Sequence, residues 1–399
     1  MSNTILTPTM VTRKALETLQ NNLVFSKQIN RQYDSSFAQE GGKIGTQLKI
    51  RLPNQYTVST GAALSAQDTT EESVTLTVAT QKHVDVNFSA AELTMSIDDF
   101  SERILSPAME ELAADIDYAG MGLYADIYQE VGSAGTVPNT ALVYLQAGQK
   151  LNESAAPVAR RKCIINPAAN AATVNALSGL FNPSKAISDQ YEMGTMGNAL
   201  GFDFYMSQSV NVWTAGTRDN TTPVVNGTVT SGSSIVVSGA DANVTFTVGD
   251  VFTVADCYAV NPRTKQSTGA LQQFVVTAAA TASGAGAVTL SVSPEIVTSG
   301  ARQNVTSSGV VTGKALTFVG TASTGYAQNL AFHPDAFCLA TADLILPKGV
   351  DFAYRAVNEG MSLRVVRQYD INNDALPCRI DILHGFKTLR QQLACRITA

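Results

Sequence analysis

The stretch GDVFTVADCYAVNPRTKQSTGALQQFVV, residues 249–276, contains two apolar runs on either side of a polar turn. Both runs are rich in Val, Phe, Ala and Thr, and apolar residues alternate there with small or polar ones, which is typical of β-strands. The turn between them carries Asn, Pro and Gly, residues that end regular structure. The stretch therefore predicts two strands of an all-β unit.

The same composition extends over residues 214–327. This segment has five basic and five acidic residues in 114, about half the charge density of the rest of the chain. Five or six short alternating runs are separated by Gly and Ser, and no helix-period run interrupts them. We expect a β-barrel or sandwich that folds as a separate unit, inserted into an α+β host.

The host contains a long helical pattern, SIDDFSERILSPAMEELAADIDYAGMGLYADIYQEVG, at residues 96–132. Leu105, Met109, Leu112 and Ile116 recur at steps of three and four residues. The pattern predicts one long helix of roughly 40 Å at 1.5 Å per residue. Its many acids predict a solvated or partner-facing outer face.

The remaining host segments alternate between helix and strand. Residues 11–32 predict a short amphipathic helix, an arm-like element with no core of its own. Residues 41–53 and 74–89 predict two exposed strands, and residues 54–73 between them predict a long loop with a partner outside it. Further segments are expected as helix (142–152 and 169–181), strand (161–167 and 201–213), strand plus helix (328–344) and C-terminal strands.

Composition and motifs exclude several classes of protein. Charged residues make up only 15% of the 399 and the net charge is −6, which disfavours disorder and electrostatic wrapping of nucleic acid. The five cysteines form no CxxC pair, so we expect reduced, buried thiols. No signal peptide and no membrane-length apolar run is visible, which predicts a soluble protein made in the cytosol.

The order of these segments resembles the major capsid proteins of tailed bacteriophages with the HK97-type fold, and specifically the P22-like coat proteins with an inserted domain. The stretch 249–276 and QNLAFHPDAFCLATADL (328–344) carry most of the resemblance, which covers essentially the whole chain. It implies an α+β fold with an N-terminal arm (1–40), an extended E-loop hairpin (41–92), a peripheral domain with the spine helix (93–139 and 346–399), an axial domain (140–213 and 328–345) and an inserted all-β Greek-key barrel (214–327).

The resemblance also implies a function. Such a chain self-assembles from hexamers and pentamers into an icosahedral shell, of T=7 geometry, around phage double-stranded DNA. It would be a late structural protein, assembled in the host cytoplasm with a scaffolding protein and a portal protein, that holds DNA without sequence-specific binding. An encapsulin-like bacterial compartment is the alternative from the same fold, and a surface-layer or carbohydrate-binding β protein is a third class.

Candidate contact residues follow from exposure and charge. The loop offers apolar residues and acids to a neighbouring subunit. Charged residues at predicted turns of the insert are candidates for salt bridges between capsomers. The competing interpretation is that these are ordinary solvated charges, each worth under about 1 kcal/mol. Scaffold contacts are expected in the arm. These candidates are Tyr56, Val58, Leu64, Asp68, Glu71 and Glu72 in the loop, Asp241, Asp250, Arg263 and Lys265 in the insert, and Glu17, Asp34 and Glu40 in the arm.

Catalytic chemistry finds little support. His83, His333 and His384 lack zinc-ligand spacing, and no nucleophile-elbow or phosphate-loop motif occurs, so we expect no enzyme, metal or cofactor. Some relatives of this fold join a hairpin Lys to an Asn of a neighbouring subunit. Residues 54–73 contain no Lys, which predicts a shell without covalent cross-links.

Overall fold

The computed structural model describes residues 8–31, 47–62, 64, 66–69, 71–87, 105–177, 197–218, 222–358, 360–372 and 375–399. The chain divides into two compact units. Unit 1 consists of Met1–Arg51, Ser73–Gly120 and Phe337–Lys387, and unit 2 consists of Leu52–Glu72, Met121–Ala336 and Thr388–Ala399.

Helices and strands both contribute to the described part of the chain. The α-helices are α1 (Pro8–Asn22), α2 (Phe25–Gln28), α3 (Ser106–Met121), α4 (Ala141–Glu153) and α5 (Pro167–Leu177), and 3₁₀ helices lie at Gly122–Asp126, Pro334–Ala336 and Gln391–Leu393. The strands are β1 (Gln47–Arg51), β2 (Ser73–Thr77), β3 (Thr80–Val86), β4 (Glu130–Val131), β5 (Lys162–Ile165), β6 (Asn198–Ala199), β7 (Phe202–Met206), β8 (Val212–Thr214), β9 (Val224–Val225), β10 (Ser231–Ser238), β11 (Thr245–Phe246), β12 (Val251–Val260), β13 (Ser267–Val276), β14 (Ala280–Thr281), β15 (Val288–Val297), β16 (Leu316–Phe318), β17 (Gly325–Phe332), β18 (Phe337–Ala342), β19 (Phe352–Asn358), β20 (Met361–Arg367), β21 (Cys378–Thr388) and β22 (Ala394–Thr398).

Unit 1 is built on a five-stranded sheet in the order β18-β21-β20-β19, with β3 also paired to β21. Alternation places Leu363 and Ile380 on one face, where they share a core with Met109 and Ile116 of α3 and with Leu19 of α1. The single helix predicted over residues 11–32 is two helices, α1 and α2, and the apolar side of α1 is buried in this core, although no core was expected for this segment. β1 and β2 form a separate antiparallel pair.

The host part of unit 2 is a seven-stranded sheet in the order β4-β22-β17-β5-β7-β6, with β8 paired to β17. Tyr144 of α4 is fully buried and packs edge-on against Phe204 of β7 at 5.2 Å between ring centroids. β8 runs antiparallel to β17, with Thr214 opposite Gly325. The segment between these two strands therefore leaves and rejoins the sheet at adjacent positions.

Residues 222–318 form an all-β part with its own core. Its main sheet has the order β16-β12-β13-β15-β10-β9, and β11 pairs with β14. Backbone bonds from Val225 N to Lys314 O and from Leu316 N to Pro223 O, both 2.9 Å, also join the two edges of this sheet. One cluster of buried side chains, all between Val225 and Leu316, fills it.

Several predicted elements differ from the structure. The helix predicted over residues 96–132 ends at Met121 and continues as a 3₁₀ turn, after which residues 130–131 join a sheet as β4; residues 96–104 lie outside the described residues. Pairing of β4 with β22 requires the chain to leave the helix. The 16 described residues of α3 span about 24 Å.

The predicted strand over residues 74–89 is two strands that pair differently, β2 with β1 and β3 with β21. The backbone bends between them beside Gly385, where an added Cβ would lie 2.0 Å from Thr77 O. Residues 201–213 likewise form two strands, β7 and β8. The helix predicted within residues 328–344 is one 3₁₀ turn between β17 and β18, because Phe337–Leu339 are fully buried in strand conformation.

Candidate assembly surfaces

The described residues between 52 and 72, here called the exposed loop, follow β1 and precede β2. Leu52 N donates to Glu72 O at 2.8 Å, which closes the base of the loop. Farther out, Gln67 Oε1 accepts from Thr57 N and Thr57 Oγ1, both at 2.9 Å, and Tyr56 Oη lies 3.4 Å from Thr69 Oγ1. Side-chain hydrogen bonds thus hold two extended arms together where strand pairing has ended.

Apolar side chains of the exposed loop face solvent. Tyr56 is 58% exposed, Val58 97% and Leu64 95%. Large apolar side chains this exposed in an extended segment gain nothing for the fold of their own chain, and burial against a partner would release their hydration water. The structure therefore places these three predicted contact residues at the surface.

The acids of the loop behave differently from one another. Asp68 and Glu71 are exposed. Glu72 Oε1 forms an ion pair with Arg302 Nη2 within unit 2, and the same nitrogen lies 3.6 Å from Glu295 Oε2. Glu72, predicted as a contact to a neighbour, already has a partner in its own chain.

The predicted turn charges of the insert are split between surface and interior. Asp241 and Arg263 are exposed, whereas Lys265 is half-buried and its Nζ donates to Ala301 O. The prediction is wrong for Asp250, which is fully buried and accepts from Thr247 N at 2.9 Å. The sequence around residue 250 is typical of a turn that carries an acid, and nothing in it indicated that this carboxylate is buried.

The surroundings of Asp250 explain its burial. Arg218 Nε lies 3.8 Å from Asp250 Oδ1, and its guanidinium stands over the Trp213 ring at 5.6 Å. Burial raises the pKa of Asp250, and the charge of Arg218 opposes that shift. The carboxylate therefore has a structural role inside unit 2.

Two further acids are buried, although they belong to the acidic face predicted for the helix over residues 96–132. Asp117 of α3 accepts from Val24 N at 2.6 Å, Phe25 N at 3.1 Å and Ser26 N at 2.9 Å, so it caps the first turn of α2. Glu130 pairs with Arg396 at 2.7 Å with both side chains buried. The prediction of a solvated or partner-facing acidic face is wrong at these positions, because these carboxylates are buried against groups of their own chain that lie far away in sequence.

The predicted scaffold contacts are only partly described. Glu17 is exposed on α1. Asp34 and Glu40 lie outside the described residues.

The histidines and cysteines show no arrangement for catalysis in the described residues. His83 is partly exposed and lies 2.9 Å from Asp85, whereas burial lowers the pKa of His333 and lowers that of His384 to about 4. All five cysteines are free and buried, as predicted, and burial raises the pKa of Cys257 and Cys395 to about 12. Among the residues described, no group of three or more His, Cys, Asp or Glu is arranged to hold a metal ion. No helix in the described ranges combines the length and apolarity needed to cross a bilayer.

Comparison with known structures finds phage capsids at low sequence identity. A structure from Mycobacterium phage Che8 is 13% identical, with a TM-score of 0.48, over 94% of this chain and 90% of that one. The capsid of Cyanophage P-SCSP1u is 10% identical, with a TM-score of 0.46, over 93% and 88%. The capsid of Ralstonia phage GP4 is 7% identical, with a TM-score of 0.48, over 94% and 90%. No curated protein matches the chain.

The family comparison is decisive, because it spans nearly the whole sequence. The model of the family described as P22 coat protein, gene protein 5, matches residues 1–395. The match includes the all-β part and both flanking host parts. The chain belongs to the P22 coat protein family, and it is a tailed-phage major capsid protein that forms the shell.

Proposed function

We propose that this coat protein forms an icosahedral T=7 shell around double-stranded phage DNA, and that it assembles in the host cytoplasm on a scaffolding protein with a portal at one vertex. The family match over residues 1–395 supports the capsid role. The scaffold is proposed from the resemblance to P22-like coat proteins, and Glu17, an exposed charge on α1, is its candidate contact. The −6 net charge is compatible with DNA that is enclosed without being tightly bound.

The exposed apolar side chains of the loop are the observation that carries the proposed assembly mode. We assign residues 41–92 to an E-loop hairpin whose tip docks on a neighbouring copy through Tyr56, Val58 and Leu64. Asp68 and Glu71 would add charged contacts at the rim. Interface cores are apolar and their rims polar, which is the distribution found along this loop.

The all-β part is proposed as the inserted Greek-key barrel, over residues 214–327. Two observations support this assignment: the hydrogen bonds that join both edges of its sheet, and the adjacent pairing of β8 and β17 at its entry and exit. Asp241 and Arg263 are the exposed charges proposed to meet neighbouring capsomers. The spine helix is assigned to α3, Ser106–Met121.

We also propose that the shell is held without covalent cross-links and that the subunit is not an enzyme. The loop offers no Lys between residues 54 and 73, and a closed symmetric lattice can be stable through many weak repeated contacts.

Expression of the chain with and without a scaffolding protein from the same phage tests these assignments. Electron microscopy is expected to show closed icosahedral shells with the scaffold and aberrant or open assemblies without it. Denaturing gels of shells should show a single monomer band. Soluble monomer under all assembly conditions would overturn the proposed assembly, and a ladder of joined subunits would overturn the absence of cross-links.

A further inference from the structure

An ion pair joins the base of the exposed loop to the all-β part. Arg302 Nη2 pairs with Glu72 Oε1. Glu72 is the residue whose carbonyl accepts from Leu52 N, so both arms of the loop converge where Arg302 binds. Glu295 Oε2, at 3.6 Å, is a second carboxylate beside the same guanidinium.

Arg302 is presented by a well-ordered turn between β15 and β16. Asn304 Nδ2 donates to Glu295 O at 2.6 Å, and Val297 N donates to Asn304 Oδ1 at 3.0 Å. Lys265 Nζ donates to Ala301 O, which attaches this turn to the one between β12 and β13. The guanidinium is therefore held by a turn whose order does not depend on the loop.

Open space separates much of the loop base from the all-β part. A cavity of about 370 Å³ is lined by Pro53, Gln55 and Glu72 from the loop and by Val260, Arg302 and Asn304 from the other side. Close apolar packing does not fill this cavity, and the Glu72–Arg302 ion pair joins its two sides. Both charged side chains are 40–45% exposed, and a pair this exposed adds little to folding. We therefore expect the Glu72–Arg302 pair to affect the direction of the loop.

We propose that Arg302 is a positioning residue for assembly: the all-β part acts as an intramolecular brace that holds the base of the exposed loop through Glu72 and so sets the direction in which the loop tip reaches a second copy. This inference rests on the proposed role of the loop as an inter-subunit contact. It adds that the orientation of the loop is set within each subunit before docking.

Loop orientation can be measured in the unassembled full-length subunit. Trp213 is the single tryptophan of the chain, and it lies buried in unit 2. The five native cysteines are buried, so a Val58→Cys variant can be labelled selectively with a thiol-reactive dansyl acceptor. Energy transfer from Trp213 to position 58 then reports the position of the loop tip.

Arg302→Glu is expected to change the transfer efficiency and, in the unlabelled chain, to slow shell assembly about two- to fivefold, the factor by which an exposed ion pair shifts a local equilibrium. Arg302→Lys should retain both values, and Arg302→Glu combined with Glu72→Arg should restore them. Lys314→Glu is the matched control, because it breaks an ion pair of similar exposure with Asp256 on the same all-β part, whose two residues do not line the cavity, and it should leave energy transfer unchanged.

Unchanged energy transfer in Arg302→Glu would overturn the brace, and altered transfer with normal assembly would overturn its role in assembly. These outcomes are distinct from failure of the proposed loop contact. In that case Val58→Asp would leave assembly intact whether or not Arg302 controls the position of the loop.

Discussion

Arg396 Nη2 lies 2.7 Å from Glu130 Oε2, with the two side chains 0% and 2% exposed. Arg396 Nη1 also donates to Gly249 O at 2.9 Å, and Thr398 Oγ1 donates to the other oxygen of Glu130. This network links β22 to β4 and to the residue that precedes Asp250. Breaking a buried pair of this kind is strongly destabilising, because removal of either member leaves an uncompensated charge in the interior.

Glu130→Gln is therefore expected to destabilise the subunit by about 3–5 kcal/mol, because Arg396 keeps its charge in the interior without a counter-charge. Denaturant unfolding followed by the fluorescence of Trp213, whose ring lies 5.5 Å from the Arg396 guanidinium carbon, measures the loss. Glu110→Gln, at an exposed position of α3, is the control and should change stability by less than about 0.5 kcal/mol. Equal effects of the two variants would contradict a structural role for the pair.

Asp117→Asn is expected to weaken the attachment of α2 to α3. One carboxylate oxygen is replaced by an NH₂ group that faces the N–H groups of Val24 and Phe25 or of Ser26, so at least one buried donor loses its acceptor, at a cost of about 1–3 kcal/mol. Thermal unfolding should show a lower midpoint. Asp115→Asn removes only the half-exposed pair with Lys82 and should cost under about 1 kcal/mol. A larger loss in Asp115→Asn than in Asp117→Asn would refute the capping role.

His384 predicts a pH dependence of stability. Burial lowers its pKa to about 4 from the ordinary 6.5, with Lys82 acting in the same direction and Asp115 opposing it. The unfolded chain therefore binds more protons than the folded one between these values, so stability falls as the pH is lowered from 6.5 to about 4, by about 3 kcal/mol for this group.

His384→Leu should flatten that part of the stability–pH curve relative to the wild type. Urea midpoints measured from pH 7 to pH 4 give the comparison. An unchanged slope in His384→Leu would show that other groups control acid unfolding.

The local sequence pattern correctly predicted those helices and strands whose apolar periodicity lies within a single segment of the chain. Residues 249–276 form β12 and β13, with Val251 opposite Val275, and residues 142–152 fall within α4. The errors occurred where distant partners decide. β4 forms because β22 pairs with it, and Asp250 turns inward because Arg218 is there to meet it. A single sequence carries no signal for such pairings.

The exposed loop likewise combines features that local sequence predicts with a contact that depends on a distant residue. The length and composition of residues 54–73 predicted an exposed loop with apolar tips, since both properties are local. The ion pair of Glu72 with Arg302 joins residues 230 positions apart, and no spacing rule reaches that far. The acids of the loop therefore looked equivalent in sequence, although Asp68 is exposed whereas Glu72 forms an ion pair with Arg302.

Val58→Asp separates folding from assembly. Val58 is 97% exposed, so a carboxylate there stays hydrated in the free subunit and should change its unfolding midpoint by less than the equivalent of about 0.5 kcal/mol. Docking on a second copy would bury that charge without a partner, which costs several kcal/mol at each copy of a repeated contact. We expect a folded subunit that forms no closed shells by electron microscopy. Val158→Asp, at a valine that is 71% exposed after α4, controls for the addition of a surface charge outside the loop and should assemble normally. Normal shells from Val58→Asp would show that the loop tip is not an inter-subunit contact.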